Sequence, residues 1–241
     1  MYGLKSVSDL RVQIYADGAD KGTIVQLCSV PYIRGFTTNP TLMRKAGVTD
    51  YGAFAHDVLA CIAGRPISFE VFADEFADME VQAREIASWG SNVYVKIPVT
   101  NTRREPALDL MCRLAHSGVR VNATALMTLE QVADVATALA GGAPSYISVF
   151  AGRIADTGRD PLPIMTAALE ITGSHENMEL IWASPREVLN IFQADDIGCD
   201  IITVTSDLLK KLGMVGKDLD EFSLETVRMF YHDACQSGYL L

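Results

Sequence analysis

The sequence predicts an α/β protein that forms a single parallel (β/α)8 TIM barrel with an extra C-terminal helix. Short apolar runs alternate with amphipathic helical stretches eight times along the 241 residues, as in this fold. No G-x-G-x-x-G motif follows any predicted strand, which disfavours the alternative, a doubly wound open sheet. No linker or low-complexity stretch divides the chain, so we predict one domain over 1–241, with 218–241 as a helical extension.

Eight runs rich in β-branched and apolar residues predict the strands. They are Val12–Ala16, Ile33–Thr37, Ile67–Phe72, Asn92–Ile97, Val119–Thr124, Tyr146–Val149, Glu179–Ala183 and Ile201–Val204. The clearest helical patterns are Glu75–Trp89, Arg103–His116, Leu129–Leu139, Leu162–Thr172 and Arg186–Asp195. A further amphipathic helix, Phe222–Gln236, exceeds what the barrel needs. Because such a helix often packs on a neighbouring subunit, we expect a homo-oligomer.

Composition limits the class of partner. Apolar residues make up 49% of the chain and charged residues 21%, as in ordinary globular proteins. A net charge of −10 with no basic stripe argues against binding to nucleic acid or to an anionic membrane. It leaves room for a phosphorylated substrate, because two or three local arginines can bind one phosphate. The N-terminus lacks a signal-peptide core, and no run has membrane-span length, so we expect a cytoplasmic protein.

Cysteines and histidines are scattered along the chain. The cysteines are Cys28, Cys61, Cys112, Cys199 and Cys235, and the histidines are His56, His116, His175 and His232. With an odd cysteine count and no C-x-x-C pair, buried free thiols in a reducing compartment fit best. The histidines fall in helical or loop segments away from other candidate ligands, so we expect no metal site.

Lys96 stands out among the seven lysines because it interrupts V-Y-V-K-I-P-V (Val93–Val99), a stretch typical of a buried strand. Burying an ammonium is unfavourable, so this lysine is either paired with a carboxylate or held neutral for chemistry. A neutral lysine in a pocket is the amine that forms Schiff bases with sugar carbonyls. The alternative is a barrel lysine that is paired for structural reasons alone.

Period-two alternation places several polar residues inside the barrel, at the C-terminal ends of five strands. They are Asp17, Glu70, Lys96, Asn122, Thr124 and Ser148. Active sites of this architecture form at that end, and so many polar groups are poor barrel filling. The group as a whole therefore indicates an active site more strongly than any member of it.

Structural alternatives exist for single members. Asp17 begins an Asp-Gly pair that also fits a turn or a helix cap. Asn39 followed by Pro40 fits an N-cap and first helical position, which does not exclude a ligand role. The structural alternative for Glu70 is that it only neutralises Lys96. Trp182 fits the core better than a cofactor platform.

Two arginines follow consecutive late strands, Arg153 after the sixth and Arg186 after the seventh. As isolated residues they would be incidental surface charges. Together with Ser184, in adjacent βα loops near a helix N-terminus, they predict a phosphate site.

The motifs resemble those of the transaldolase family, including its small-subunit branch with fructose-6-phosphate aldolase. The matching segments are G-F-T-T-N-P-T-L (Gly35–Leu42), S-F-E-V (Ser68–Val71), V-K-I-P (Val95–Pro98), V-N-A-T (Val121–Thr124), S-V-F-A-G-R-I-A-D-T-G (Ser148–Gly158) and A-S-P-R (Ala183–Arg186). They lie in the family's order and cover about four-fifths of the chain. Val149 and Pro185 depart from the family's pattern, which affects the expected substrate fit more than the chemistry.

The resemblance implies a role for each site residue. Lys96 would form the Schiff base, Asp17 would be the acid/base for carbon–carbon cleavage, and Glu70 with Thr124 would position a catalytic water. Substrate hydroxyls would bind Asn39, Asn122 and Ser148, and phosphate would bind Arg153, Ser184 and Arg186. Glu70 and Phe150 resemble the transferase branch, because the aldolase pattern has Gln and Tyr there. No metal or organic cofactor is implied.

The predicted reaction moves a dihydroxyacetone unit from fructose 6-phosphate or sedoheptulose 7-phosphate to an aldose phosphate. The nearest alternative is an aldolase that releases dihydroxyacetone, and a second is a non-catalytic sugar-phosphate-binding barrel. The sequence leaves the acceptor open: erythrose 4-phosphate would place the enzyme in the pentose phosphate pathway, ribose 5-phosphate in specialised sugar synthesis. The resemblance also implies a homo-oligomer, in the small branch a decamer built from two pentamers that exchange C-terminal helices.

Overall fold

A computed structural model describes residues 5–239, which contain a closed barrel of eight parallel strands in chain order. The strands are β1 (Gln13–Asp17), β2 (Ile33–Thr37), β3 (Ile67–Glu70), β4 (Val93–Pro98), β5 (Val121–Leu126), β6 (Ser145–Val149), β7 (Met178–Trp182) and β8 (Ile201–Thr205). The last strand closes the barrel by pairing with the first along its whole length. The predicted barrel is therefore confirmed.

Helices cover the outside of the barrel and alternate with the strands. They are α1 (Lys21–Cys28), α2 (Pro40–Lys45), α3 (Tyr51–Cys61), α4 (Phe76–Ser88), α5 (Leu108–His116), α6 (Leu129–Leu139), α7 (Ala151–Ala155), α8 (Leu162–Thr172), α9 (Leu189–Asp196), α10 (Ser206–Lys211) and α11 (Leu219–Ser237), with 3-10 turns at Val7–Asp9 and Leu212–Met214. Helices α6 and α8 have their predicted bounds.

Helix α5 begins five residues later than predicted. Thr100 and Pro106 form an isolated antiparallel bridge, so the chain between them turns back on itself before the helix. Arg103 in this turn pairs with carboxylates of Glu75 and Glu105. A helix from Arg103 is excluded because Arg104 has a left-handed backbone, with φ 65°.

Strand residues divide between two cores, as the alternation predicts. Outward side chains such as Val95, Ile97 and Val121 pack in the core between barrel and helices, and Trp182 lies fully buried in that core as expected. A smaller inner core contains Tyr15, Tyr94 and Tyr146 together with Ile181, Ala183 and Ile201.

The three inner tyrosines form a layer inside the barrel. The hydroxyls of Tyr15 and Tyr146 are 2.9 Å apart, and the rings of Tyr94 and Tyr146 stack with centroids 3.8 Å apart. Each lies two residues before a predicted site residue on its own strand, namely Asp17, Lys96 and Ser148. Since strand side chains repeat every two residues, this aromatic layer lies inside the barrel directly below those three side chains.

Helix α11 presents apolar side chains to solvent. Asp218 caps its first turn by accepting hydrogen bonds from the backbone of Asp220 and Glu221, each 3.0 Å long. Within residues 5–239, none of the helix's side chains is buried. Its exposed apolar residues include Phe222, Leu224, Val227, Met229, Phe230 and Tyr231. The prediction of a helix here is confirmed, with a start three residues earlier.

The cysteines are free, but they are not uniformly buried as predicted. Cys199 is buried and Cys235 is exposed, with the other three half-buried. The expectation failed because four of them lie on helices, where only one face packs against the barrel. In the described part of the chain, no helix is long and apolar enough to cross a membrane.

Candidate active site

Lys96 lies near the carboxyl end of β4, facing the barrel axis, and is only 6% exposed. Its Nζ is 3.0 Å from Oε2 of Glu70, which pairs with it across the β3–β4 ladder. The same nitrogen donates a hydrogen bond of 3.0 Å to the carbonyl of Thr38. One carboxylate and one carbonyl therefore offset the desolvation cost of the buried ammonium and fix its position.

Asp17 ends β1 and lies close enough to Lys96 and Glu70 for the charges of both to act on it. Thr37 donates a hydrogen bond of 2.7 Å to its Oδ1, and Thr37 is in turn 2.5 Å from the Thr203 hydroxyl. Burial raises the pKa of Asp17, opposed by the charge of Lys96 and by the Thr37 hydrogen bond. A carboxyl whose pKa is raised in this way is suited to take up and return a proton.

Asn122 and Ser148 belong to one chain of hydrogen-bonded polar side chains inside the barrel. Ser148 donates to Oδ1 of Asn122 at 2.7 Å, and Nδ2 of Asn122 donates to Ser68 at 2.9 Å. All three side chains are buried. The hydrogen bonds fix the amide orientation of Asn122, so its remaining N–H can be presented to a ligand in a defined direction.

Thr124 is buried on β5, two residues after Asn122, and its Oγ1 has no hydrogen-bond partner within residues 5–239. The next residue, Ala125, has φ 66°, and the pairing of β5 with β6 shifts register between Ala123 and Leu126. This bulge changes the direction of the strand directly after Thr124. A buried unpartnered hydroxyl of this kind is satisfied by water or by a ligand.

Asn39 begins α2 as its N-cap, with its side chain accepting from the backbone of Leu42 at 3.0 Å and Pro40 in the first turn. The capping prediction is confirmed. Its Nδ2 is left for a ligand, since the cap uses only the oxygen.

Arg153, Ser184 and Arg186 lie together beside β6 and β7. The residue before Arg153, Gly152, is so close to Ser184 and Arg186 that an added Cβ would lie 1.5 Å from the Ser184 carbonyl oxygen and 3.3 Å from Nε of Arg186. The guanidinium of Arg153 lies over the ring of Phe150, 5.5 Å from its centroid. Arg186 is bound by both oxygens of Asp156, with Nε 3.0 Å from Oδ1.

The backbone at this cluster is less available to phosphate than the sequence indicates. The N–H groups of Arg186 and Glu187 both donate to the side chain of Asn190, at 2.8 and 3.1 Å. Ser184 has a left-handed backbone with φ 62°, an uncommon conformation, and its carbonyl oxygen lies against Gly152. If the predicted phosphate site exists, its binding groups would be the two guanidinium groups and the Ser184 hydroxyl rather than these backbone N–H groups.

Four residues at the site were missed at the level of sequence: Thr37, Tyr51, Asp156 and Thr203. Thr37, the last residue of β2, and Thr203, in the middle of β8, have the inner parity, so the alternation that found Asp17 could have found them. Asp156 belongs to the matched G-R-I-A-D-T-G segment. For Tyr51, which lies on a helix, no local pattern gives a signal.

Within the described residues 5–239, no group of three or more His, Cys, Asp or Glu side chains could hold a metal ion. Cys112 and His116, one helical turn apart, do approach each other, with 3.7 Å between Sγ and Nδ1. The expectation that no histidine lies beside another candidate ligand was therefore wrong for His116, because residues i and i+4 share a helix face.

Fold and site together define a (β/α)8-barrel protein with a buried lysine–carboxylate pair and a second carboxyl at the carboxyl ends of its strands. Residues 14–238 match the family described as Transaldolase/Fructose-6-phosphate aldolase. The chain belongs to this family of enzymes.

Relatives agree with that assignment, and a solved structure shares the fold. A probable transaldolase of Dehalococcoides mccartyi is 34% identical over 202 residues, covering 83% of this chain and 90% of the relative. Probable transaldolases of Syntrophomonas wolfei (31% identical, 89% and 95% covered) and Methanococcus maripaludis (30%, 83% and 89%) are also similar. A dihydrodipicolinate synthase of Rhodopseudomonas palustris shares the fold, with a TM-score of 0.57 at 15% identity over 95% of this chain and 81% of its own.

Proposed function

We propose that the chain is a transaldolase that transfers a dihydroxyacetone unit between sugar phosphates through a Schiff base on Lys96. The observation that carries the proposal is the position of Lys96: a single amine, buried at the carboxyl end of the barrel, faces two carboxyl groups, Glu70 and Asp17. An amine so placed can attack a carbonyl, and a carboxylate at hydrogen-bond distance can accept the proton that it must lose.

Imine formation comes first. The ammonium of Lys96 gives a proton to Glu70, 3.0 Å away, and the amine adds to C2 of the ketose phosphate. The carbinolamine then loses its C2 hydroxyl as water. We assign the positioning of that water to Glu70 and Thr124, because the Thr124 hydroxyl is buried without a hydrogen-bond partner in the described chain.

Carbon–carbon cleavage follows. Asp17 removes the proton of the C4 hydroxyl, the C3–C4 electron pair moves into the iminium, and an aldose phosphate leaves. The remaining three carbons stay on Lys96 as an enamine, which attacks the aldehyde of a second aldose phosphate, while Asp17 returns its proton to the new hydroxyl. Hydrolysis of the imine releases the product and restores Lys96.

Substrate binding uses the remaining polar residues. Asn39, Asn122 and Ser148 offer donors and acceptors for the sugar hydroxyls, and the Phe150 ring borders the inner core beside them. Arg153, Ser184 and Arg186 hold the phosphate. A net charge of −10 does not exclude this, since two local arginines can bind a phosphate within an acidic protein, although Arg186 also binds Asp156.

Glu70 and Phe150 favour the transferase over the aldolase reaction. The aldolase requires the enamine to be protonated before an acceptor arrives, and Phe150 lacks the hydroxyl with which a tyrosine could supply or relay that proton. Release of dihydroxyacetone is therefore the second candidate activity. The assay below decides the acceptor sugar, and with it whether the enzyme acts in the pentose phosphate pathway.

The experiment measures glyceraldehyde 3-phosphate released from fructose 6-phosphate, with and without erythrose 4-phosphate or ribose 5-phosphate. Release only with an acceptor supports a transaldolase, and equal release without one supports an aldolase. Borohydride reduction during turnover should attach a dihydroxyacetone-derived mass to Lys96. Lys96→Met should abolish both turnover and trapping with the fold retained; substantial turnover by that variant would refute the assignment.

We also propose that α11 packs on a second copy of the chain in a cytoplasmic homo-oligomer. One face of the helix carries Val227 with Phe230 and Tyr231, which follow it by three and four residues, and these residues are 59%, 63% and 73% exposed. Exposed apolar faces of this kind mark interfaces. Five free cysteines agree with a reducing compartment. Light scattering of Val227→Glu/Phe230→Glu should give a smaller particle than the wild-type chain; an unchanged mass would argue against this interface.

A further inference from the structure

The hydroxyl of Tyr51 is bound to the backbone of Glu70 at both of its polar groups. It accepts a hydrogen bond of 2.9 Å from the Glu70 N–H and donates one of 2.7 Å to the Glu70 carbonyl. Tyr51 opens helix α3, and Glu70 ends strand β3, so one side chain from the outer layer replaces a strand partner.

The replaced partner can be identified from the ladder between β2 and β3. Phe36 donates to the Pro66 carbonyl at 2.9 Å, and Thr38 donates to the Ser68 carbonyl at 3.1 Å. In a regular parallel ladder the next hydrogen bond would run from the Glu70 N–H to the Thr38 carbonyl. The Glu70 N–H instead donates to Tyr51, and the Thr38 carbonyl accepts from Nζ of Lys96 at 3.0 Å.

The sequence also explains why the Glu70 carbonyl needs a new partner. The ladder would continue with a donor at residue 40, but that residue is proline and has no N–H. A carbonyl left without a partner in this half-buried position would cost free energy. Because the Tyr51 hydroxyl both accepts and donates, it satisfies the two Glu70 groups that β2 does not.

We propose that Tyr51 is a positioning residue for the lysine–carboxylate pair: its hydroxyl holds Glu70 and thereby keeps the Thr38 carbonyl free to receive Lys96. This inference rests on the proposed function for its kinetic part and on the geometry alone for its structural part. Burial raises the pKa of Tyr51, so its hydroxyl stays protonated and able to donate over the working pH range.

Tyr51→Phe is the test, because it removes the hydroxyl and keeps the ring. The ring packs edge-on against Phe69 and Phe72, with centroids 6.2 and 5.6 Å away, so the variant should fold. With the hydroxyl gone, the Glu70 N–H should turn to the Thr38 carbonyl and displace Lys96. We expect imine formation, measured by borohydride trapping in single turnover, to slow by about ten- to a hundredfold, with a smaller change in KM.

Ser145→Ala is the matched control, since it removes another buried hydroxyl that donates to a backbone carbonyl, that of Ala143 at 2.9 Å, at the amino-terminal start of β6 and so at the opposite end of the barrel from the site. It should lower thermal stability by a similar amount and leave the trapping rate within about twofold. Parallel losses of rate in both variants would overturn the proposal, because they would reflect general loosening. So would a wild-type trapping rate in Tyr51→Phe.

A crystal structure of Tyr51→Phe tests the geometry without any activity. The expected result is a Glu70 N–H to Thr38 carbonyl hydrogen bond with Lys96 moved away from that carbonyl; an unmoved Lys96 would overturn the proposal. If wild-type protein forms no adduct on Lys96, the proposed function fails, while this structural comparison still decides the role of Tyr51.

Discussion

Gly152 and Ser184 are in backbone contact: a Cβ on Gly152 would lie 1.5 Å from the Ser184 carbonyl oxygen. Gly152 belongs to α7, which follows β6, while Ser184 follows β7, so this contact joins the two loops that carry the candidate phosphate ligands. Only glycine permits this approach, since real Cβ atoms do not come within 3.0 Å of such neighbours.

Gly152→Ala should separate the two loops. The new methyl group meets backbone rather than a flexible side chain, so the α7 or the Ser184 segment must move. We expect a stability loss of about 1–3 kcal/mol, as for overpacking in general, and a raised KM for phosphorylated sugars. Gly213→Ala is the control, because a Cβ there meets open space. Gly118→Ala is unsuitable, because the backbone φ of 91° at Gly118 would strain any side chain. Urea unfolding and steady-state kinetics of the Gly152 and Gly213 variants test this prediction. Equal free energies of unfolding and equal KM values for phosphorylated sugars in the two variants would contradict it.

Arg153→Ala and Arg186→Ala should impair phosphate recognition selectively. Charge-assisted hydrogen bonds to phosphate are strong, so each loss should raise KM for fructose 6-phosphate by about ten- to a hundredfold. Unphosphorylated fructose should be used as before. Arg159→Ala serves as control, because it removes an exposed arginine whose side chain hydrogen-bonds only to Thr157 among the described residues. Equal losses on both sugars would place the phosphate site elsewhere.

Asp17→Asn should abolish cleavage and yet stabilise the protein at neutral pH. Burial raises the pKa of Asp17 above its ordinary 3.8, so the folded state favours the protonated carboxyl. That contribution to stability is complete below 3.8 and is lost as the pH rises through the folded-state pKa. The amide of Asn avoids the cost of burying charge at pH 7.

Thermal unfolding as a function of pH checks this prediction. The Tm of Asp17→Asn should exceed that of wild type at pH 7, and the difference should shrink as the pH approaches 4. Asp207→Asn changes a carboxyl that is 92% exposed and should show no such trend. A lower Tm for Asp17→Asn at pH 7 would contradict the prediction. It would mean that the interactions of the carboxylate with Lys96 and Thr37 stabilise the fold by more than burial of its charge destabilises it.

Sequence alone accounted for the barrel and for the strand residues at its mouth, because both follow from period-two alternation. Lys96 and Asn122 could be placed inside the barrel since their neighbours on either side are outward apolar residues. Tyr51 could not, because its contact with Glu70 joins a helix to a strand end 19 residues away. The Arg186–Asp156 pair was missed for the same reason: it spans two loops whose approach depends on tertiary packing.

Thr37 should set the pH at which Asp17 works. The Thr37 hydroxyl donates to Asp17, a hydrogen bond that favours the charged carboxylate and so lowers its pKa. Since that hydroxyl gives its hydrogen to Asp17, the short contact with Thr203 requires Thr203 to be the donor there. The two threonines therefore form a directed chain that ends at Asp17.

Thr37→Val removes the hydroxyl at nearly constant volume and should raise the pKa of Asp17. The base form needed for cleavage would then appear at higher pH, so the acidic limb of the kcat profile should move upward, with little change in KM. Thr203→Val should shift it in the same direction by less, because it acts through Thr37. Thr172→Val, at another buried threonine whose hydroxyl bonds to the Leu169 carbonyl, should lower stability without moving the limb. A profile of Thr37→Val that overlays the wild-type curve would show that this hydrogen bond does not control the ionisation of Asp17 during turnover.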